Sequence, residues 1–417
     1  MLEQLYPKEH CMTKTIFRFV GTCILMTLFI GTLSSCSLRA KDVAIPEDFY
    51  DVYIKAISPD GSKILLLGAK DSWQMYDYYL ADPDTLDFTV MNLPENSEDI
   101  SFSQDGKSIL FRLDREISVL RTDDNVITTI YDKALIDGAS PCFSPGGGTV
   151  YFLGEDSQLY RRSLAAQDNI LMTDFKVAQF FIPGDGSNIL LQNKAEPMSE
   201  LLVMNSDSGS LNKIADLESE KYSFVISPDG SKILMYSVPR KELFFIDVAK
   251  GTLAPLPFDS ERCSPFPFQF APGGNRILIG SSFGEDPIKL YSMNFDGTDR
   301  VLVYDTPIFD YRVSRPDQKI VCVGNIGGHK ELYTLNADGS LDQTIPLAEK
   351  YEFFDEQKLH FSASGERFYY SEGSLSAIYM MRSDSSKIRK VTKYLSPFVD
   401  KNDPPPGYTC GTDHCEQ

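Results

Sequence analysis

The sequence predicts an all-β protein, a single β-propeller of four-stranded antiparallel blades. A turn signal recurs eight times at nearly constant spacing, and a short strand that is apolar on both faces follows each copy. A third strand and a more polar fourth strand then complete the unit.

The cleanest copy is Ser227-Pro228-Asp229-Gly230-Ser231-Lys232-Ile233-Leu234-Met235-Tyr236. Proline fixes φ at the second position of a type I turn, Asp tolerates the third, and Gly supplies the positive φ that reverses the chain. The eight turns are Ser58-Pro59-Asp60-Gly61, Ser103-Gln104-Asp105-Gly106, Ser144-Pro145-Gly146-Gly147, Pro183-Gly184-Asp185-Gly186, Ser227-Pro228-Asp229-Gly230, Ala271-Pro272-Gly273-Gly274, Arg315-Pro316-Asp317-Gln318 and Ser362-Ala363-Ser364-Gly365. Their last residues step by 45, 41, 39, 44, 44, 44 and 47, a period close to that of a four-stranded blade.

Runs such as Ile64-Leu65-Leu66-Leu67 and Ile320-Val321-Cys322-Val323 follow these turns, and a strand with two apolar faces must be covered on both. The third strand is clearest in Leu243-Phe244-Phe245-Ile246 and Lys289-Leu290-Tyr291-Ser292-Met293. Second turns at Asp296-Gly297 and Asp338-Gly339 lead into outer strands such as Lys387-Ile388-Arg389-Lys390-Val391. Units of this kind bury their faces only against neighbours and stack around an axis. The series places the propeller at 51–396, with eight blades as the first reading and seven, with one degenerate unit, as the second.

The Ser-Pro-Asp-Gly turn, the Leu-Tyr-x-Met third strand and the Asp-Gly turn together resemble the TolB-type propeller repeat, also met in the prolyl oligopeptidase family. The resemblance implies a fold and leaves function open, because this repeat serves unrelated roles. TolB itself carries an α/β domain before a six-bladed ring, for which this chain has no room ahead of its first strand. Gln318 also stands where the turn prefers Gly, so the seventh unit is expected to use a different turn.

Lys14 and Arg18 precede an apolar run from Phe19 to Leu33, too short for a comfortable membrane span and suited to a signal-peptide core. It ends in Leu33-Ser34-Ser35-Cys36, which resembles the bacterial lipobox. That resemblance implies cleavage before Cys36 and lipid attachment to it, so 1–35 reads as a signal peptide and 36–50 as a lipidated linker. Glu3 and Glu9 sit badly in a signal's basic region, so Met12 is the favoured start over Met1. Ser37 after the cysteine implies the outer membrane facing the periplasm in a two-membrane bacterium, and otherwise the outer face of the plasma membrane.

The full chain has a formal charge of -19, with 40 Lys and Arg against 59 Asp and Glu. An acidic body of this kind repels phosphate backbones and argues against nucleic-acid partners.

Removal of Cys11 and Cys23 and acylation of Cys36 leave Cys142, Cys263, Cys322, Cys410 and Cys415. Cys142 and Cys322 lie in apolar runs and read as small buried residues. Cys410 and Cys415 are candidates for a local disulfide in an oxidising space. With His414 they also offer three metal ligands, one fewer than a closed zinc site needs, so no metal is assigned. Residues 397–417, with Pro397 and Pro404-Pro405-Pro406, read as an extended tail rather than another strand.

Gly280-Ser281-Ser282-Phe283-Gly284 matches a nucleophile elbow, but that motif needs a helix after it. Glu285-Asp286-Pro287 and another strand follow instead, so a hairpin loop is expected. Asp82, Asp84, Asp87 and Asp207 fall in turns, where Asp bonds locally, and none has a calcium-loop pattern. His360 lies on an innermost strand two residues before Ser362 and is a candidate channel residue with Gln269 and Arg312. His329 and His414 complete the histidines left after signal removal. No catalytic residue or cofactor is assigned. The expected function is a lipid-anchored, non-enzymatic propeller that binds an envelope protein, peptide or glycan. The alternative is a propeller-type carbohydrate lyase or hydrolase working at the channel mouth.

Overall fold

The computed structural model describes residues 48–49, most of 51–394, and 409–410 with 415–416. The longer segments left out of that span are 70–75, 135–138, 218–221, 258–267, 282–288, 347–357, 363–366, 372–377 and 383–387.

A serine hydroxyl, as well as the turn residues, shapes the hairpins that open blades 1, 2, 3, 5 and 8, where Ser58, Ser103, Ser144, Ser227 and Ser362 each accept a backbone N–H five residues on. In the first, Gly61 N–H donates to the Ser58 carbonyl at 2.8 Å, and Ser58 N–H donates to the Lys63 carbonyl at 2.9 Å. The Lys63 N–H donates to Ser58 Oγ at 2.9 Å, while that hydroxyl donates to Asp60 Oδ1 at 2.7 Å. The second hairpin repeats the pattern through Ser103, Asp105 and Ser108. Gly61 and Gly106 take φ of 70° and 66°, which side chains with a Cβ adopt only at a cost. In the seventh unit Ser314 pairs with Lys319 across the hairpin and Gln318 takes the positive φ, at 52°. The turn there does differ from the others: positive φ falls on the residue immediately before Lys319, whereas Gly61 lies two residues before Lys63.

Eight four-stranded antiparallel sheets follow, each built from four consecutive strands. They span 51–91, 98–131, 142–171, 177–217, 222–256, 268–304, 308–346 and 358–390, and are called blades 1 to 8 in that order. First strands touch the first strands of neighbouring blades at several junctions, which places them innermost around the axis.

Period-two alternation explains why the second strands are apolar on both faces. Ile64 and Leu66 of blade 1 pack against Tyr369, Ile378 and Met380 of blade 8. Leu65, between them, packs the other way, against Phe102, Ile109 and Phe111 of blade 2. Leu110 then turns to Val150 and Phe152 of blade 3. The same handover carries Leu190 to blade 5, Leu234 to blade 6 and Leu278 to blade 7. The core is therefore a circle of interblade layers.

Blade 8 closes on blade 1 through side chains and not through a shared sheet. The Tyr369 hydroxyl donates to the Gly61 carbonyl at 2.6 Å, and Arg367 pairs with Asp84 at 2.7 Å. A parallel two-stranded ladder joins Asp48–Phe49 to Lys393–Tyr394. The strand at 48–49 thus starts inside the segment read as linker. The tail departs from its expected form as well. Beyond the prolines, Thr409–Cys410 pairs antiparallel with Cys415–Glu416, because residues on both sides of the Gly411 to His414 connection form a ladder.

Candidate functional site in the channel

Gln269, Arg312 and His360 occupy the same level on the innermost strands of three consecutive blades. Each lies opposite the corresponding residue of the second strand: Gln269 faces Leu278, Arg312 faces Val321 and His360 faces Tyr369. All three are half-buried. The Gln269 side-chain amide donates across the blade boundary to the Tyr311 carbonyl at 3.3 Å, and Arg312 Nη1 donates to the same oxygen at 2.8 Å. One carbonyl thus holds both side chains at that level, and Tyr311 is itself fixed by its hydroxyl's 2.9 Å bond to the Leu278 carbonyl.

The register identifies the residues of the other five blades at this level as Ala56, Ser101, Cys142, Phe181 and Val225. Blades 6 to 8 therefore contribute a continuous polar arc containing one fixed cation. Blades 1 to 5 contribute small and apolar side chains. Burial pushes the Cys142 thiol up to about 12, which disfavours the thiolate at ordinary pH. Cys322 is fully buried in blade 7, and Cys142 is half-buried.

A second polar group, invisible in the repeat pattern, lies at the junction of blades 2 and 3. Arg112, 8% exposed, donates from Nε to Asp99 Oδ2 and from Nη2 to Glu98 Oε2, both at 2.7 Å. Its Nη1 donates to the Asp114 carbonyl at 2.9 Å, and Ser140, in the connection leading into blade 3, donates to Asp99 Oδ1 at 2.5 Å. The inner strand of blade 2 slips register between Glu98 and Ser101, and Asp99 takes φ of 52° within that bulge. A bulge re-aims a side chain, and here it points Asp99 at both Arg112 and Ser140. Sequence periodicity missed the group because a bulge has no fixed residue signature.

The remaining motifs resolve into local structure. Ile277–Ser281 pairs directly with Lys289–Met293, so the strand before the elbow-like motif leads into another strand. Ser282 to Gly284 lie outside the described residues. Asp82 Oδ1 accepts from the Asp84 and Thr85 N–H groups at 2.8 and 3.1 Å, the local bonding expected of a turn. Asp84 instead serves ring closure through Arg367. Asp87 pairs with Asp82 at the base of that hairpin. Asp207 N–H donates to Asn205 Oδ1 within a turn. Among the described residues no three His, Cys, Asp or Glu lie close enough together to hold a metal. Cys36, Cys263 and His414 lie outside the described residues, as do the side chains of His329, Cys410 and Cys415.

Comparison with known proteins adds to the fold and not to the site. No family model matches the chain, and no curated protein matches it by sequence. Among solved structures, a eukaryotic initiation factor aligns over 85% of this chain and 93% of its own, with 12% identity and a TM-score of 0.56. An oligogalacturonate lyase in complex with manganese covers 80% of this chain and 89% of its own, at 13% identity and a TM-score of 0.46. TolB from Acinetobacter baumannii covers 66% and 76%, at 14% identity and a TM-score of 0.35. At such identities the likeness is one of architecture, and this chain shares with the initiation factor the propeller fold.

Proposed function

We propose that the protein is a non-enzymatic binding module of the bacterial cell envelope, tethered by lipid on Cys36, that holds a protein, peptide or glycan at its channel. The observation that carries the reading is the polar arc of Gln269, Arg312 and His360 at one level of three adjacent inner strands. The Arg312 guanidinium, prepositioned by the Tyr311 carbonyl, supplies the positive charge of the arc, which favours an anionic or carbonyl-bearing group. The small and apolar residues of blades 1 to 5 suit the less polar side of the same ligand.

Titration of the purified mature chain against acidic oligosaccharides and acidic peptides, followed by calorimetry, tests the reading. Arg312→Ala should weaken binding at least tenfold, the scale of about 1.4 kcal/mol or more for a lost charge-assisted bond, with an unchanged melting temperature. Failure of the unmodified chain to bind any member of either panel refutes it. The tether is tested separately: Cys36→Ser should move the protein from the membrane fraction to the soluble fraction and abolish labelling by a radioactive fatty acid.

The second reading, an enzyme acting on acidic glycans, draws on the adjacency of His360 to Arg312 at that level, a base candidate beside a cation. Product formation from polyuronides that His360→Ala abolishes would replace the binding reading with this one.

A further inference from the structure

We propose that the channel's ligand is an oligosaccharide joining a neutral sugar to an acidic one, with the neutral ring stacked on Tyr53 and the acidic group at Arg312. The proposal rests on the binding reading above and names the ligand class within it. Tyr53 is 38% exposed, and no other aromatic side chain among the described residues is exposed. It lies opposite Leu67 on the innermost strand of blade 1, whereas Ala56, the residue of that strand at the level of the arc, lies opposite Leu65. Two residues of strand rise about 7 Å, so Tyr53 stands about that far along the channel from the arc, toward the end where the inner strands begin. It thus continues the polar run of blades 6, 7 and 8 onto the adjoining blade, one step nearer the mouth. The Tyr76 ring packs beside it, with centroids 6.4 Å apart.

Charge decides which part of the ligand lies at Tyr53. Tyr53 shares a face with Leu67, which packs toward Phe102, Ile109 and Phe111 of blade 2. On that side stand Glu98 and Asp99, two carboxylates against the single guanidinium of Arg112. Glu98 keeps 65% of its side chain exposed, so the surplus negative charge faces solvent. A sugar offers a flat C–H face to an aromatic ring and hydroxyl donors to a carboxylate, and a neutral unit fits both. An acidic unit is repelled there and drawn to the cation one tier down.

Calorimetric titration of the purified mature chain tests this with four probes of matched length. They are a xylo-oligosaccharide bearing one glucuronate, the same oligosaccharide without it, an oligouronide, and a glutamate-rich peptide. The first should bind at least tenfold more tightly than each of the others. Tyr53→Ala should weaken that binding tenfold or more, and Tyr53→Phe, which keeps the ring, should stay within threefold of the unmodified chain. Binding that Arg312→Ala weakens and Tyr53→Ala leaves unchanged would overturn this proposal and leave the binding reading standing. Equal losses from Tyr53→Phe and Tyr53→Ala, an oligouronide or neutral oligosaccharide bound as tightly as the mixed one, or a preference for the peptide would each overturn it in the same way. Absence of binding to every probe would remove both.

Discussion

At the scale of single residues, the hydroxyl of the turn serine joins local chemistry to stability. Ser103 is buried, donates to Asp105 at 2.7 Å, and accepts the Ser108 N–H at 3.0 Å. Ser103→Ala leaves that N–H without its side-chain acceptor and should cost about 1 to 3 kcal/mol in chemical denaturation. The serine hydroxyl, followed by the Lys107 N–H, holds the Asp105 carboxyl below its ordinary value of 3.8. A folded-state value below the unfolded one means that the contribution is fully present above 3.8 and is lost as pH falls through the depressed value. Asp296 and Asp338 are lowered in the same way, by Thr298 and Ser340. Stability should therefore fall on acidification below about pH 4, and Ser103→Ala should show a shallower fall over that range than the unmodified chain. Equal slopes would remove the assigned role of the hydroxyl. Proline, aspartate and glycine in the repeat turns were legible from sequence because their backbone preferences are intrinsic. The serine was not, because its partners lie two and five residues away along a path that only the folded hairpin closes.

At the scale of elements, the glycines of the turns face different neighbours. Gly61 and Gly209 both take φ of 70°, so a side chain is strained equally at either. A Cβ at Gly61 would stand 2.9 Å from Arg367 Cδ and 3.0 Å from Ser362 Cβ of blade 8, whereas one at Gly209 would meet nothing within 4 Å. Gly209→Ala should cost about 1 to 2 kcal/mol from backbone strain alone. Gly61→Ala should cost more, because it also presses on the arginine that pairs with Asp84. Urea denaturation of the two variants measures the difference, and equal losses would mean that the closing contact yields freely. Inner-strand residues show the same division between local and distant causes. That His360 belongs to an innermost strand follows from its place two residues before a repeat turn. Its sharing of a level with Gln269 and Arg312 depends on the register of three separate sheets. The Asp99 bulge went unseen for a related reason, since a register slip is a property of two paired strands.

At the scale of the molecule, stability is circular. Blades 1 to 6 each bury second-strand residues toward both neighbours, and blade 8 meets blade 1 through Tyr369, Ile378 and Met380. A chain truncated after residue 346 exposes Ile64 and Leu66 of blade 1, both fully buried in the closed ring. It should lose its single cooperative thermal transition and bind a hydrophobic dye, as calorimetry and fluorescence would show. Retention of one sharp transition would mean that seven blades close without the eighth.

The sequence by itself determined the repeat, its strand count per unit and its all-β class, because turn preferences and period-two apolarity act within a few residues of chain. It also marked the elbow-like motif as a strand-to-strand hairpin. Only the tertiary structure decided how the circle closes, which inner-strand residues share one level, and that Arg112, Asp99 and Ser140 converge between blades. These follow from the pairing and packing of segments remote in sequence, as between Gly61 and Tyr369, 308 residues apart, where no local preference carries the information.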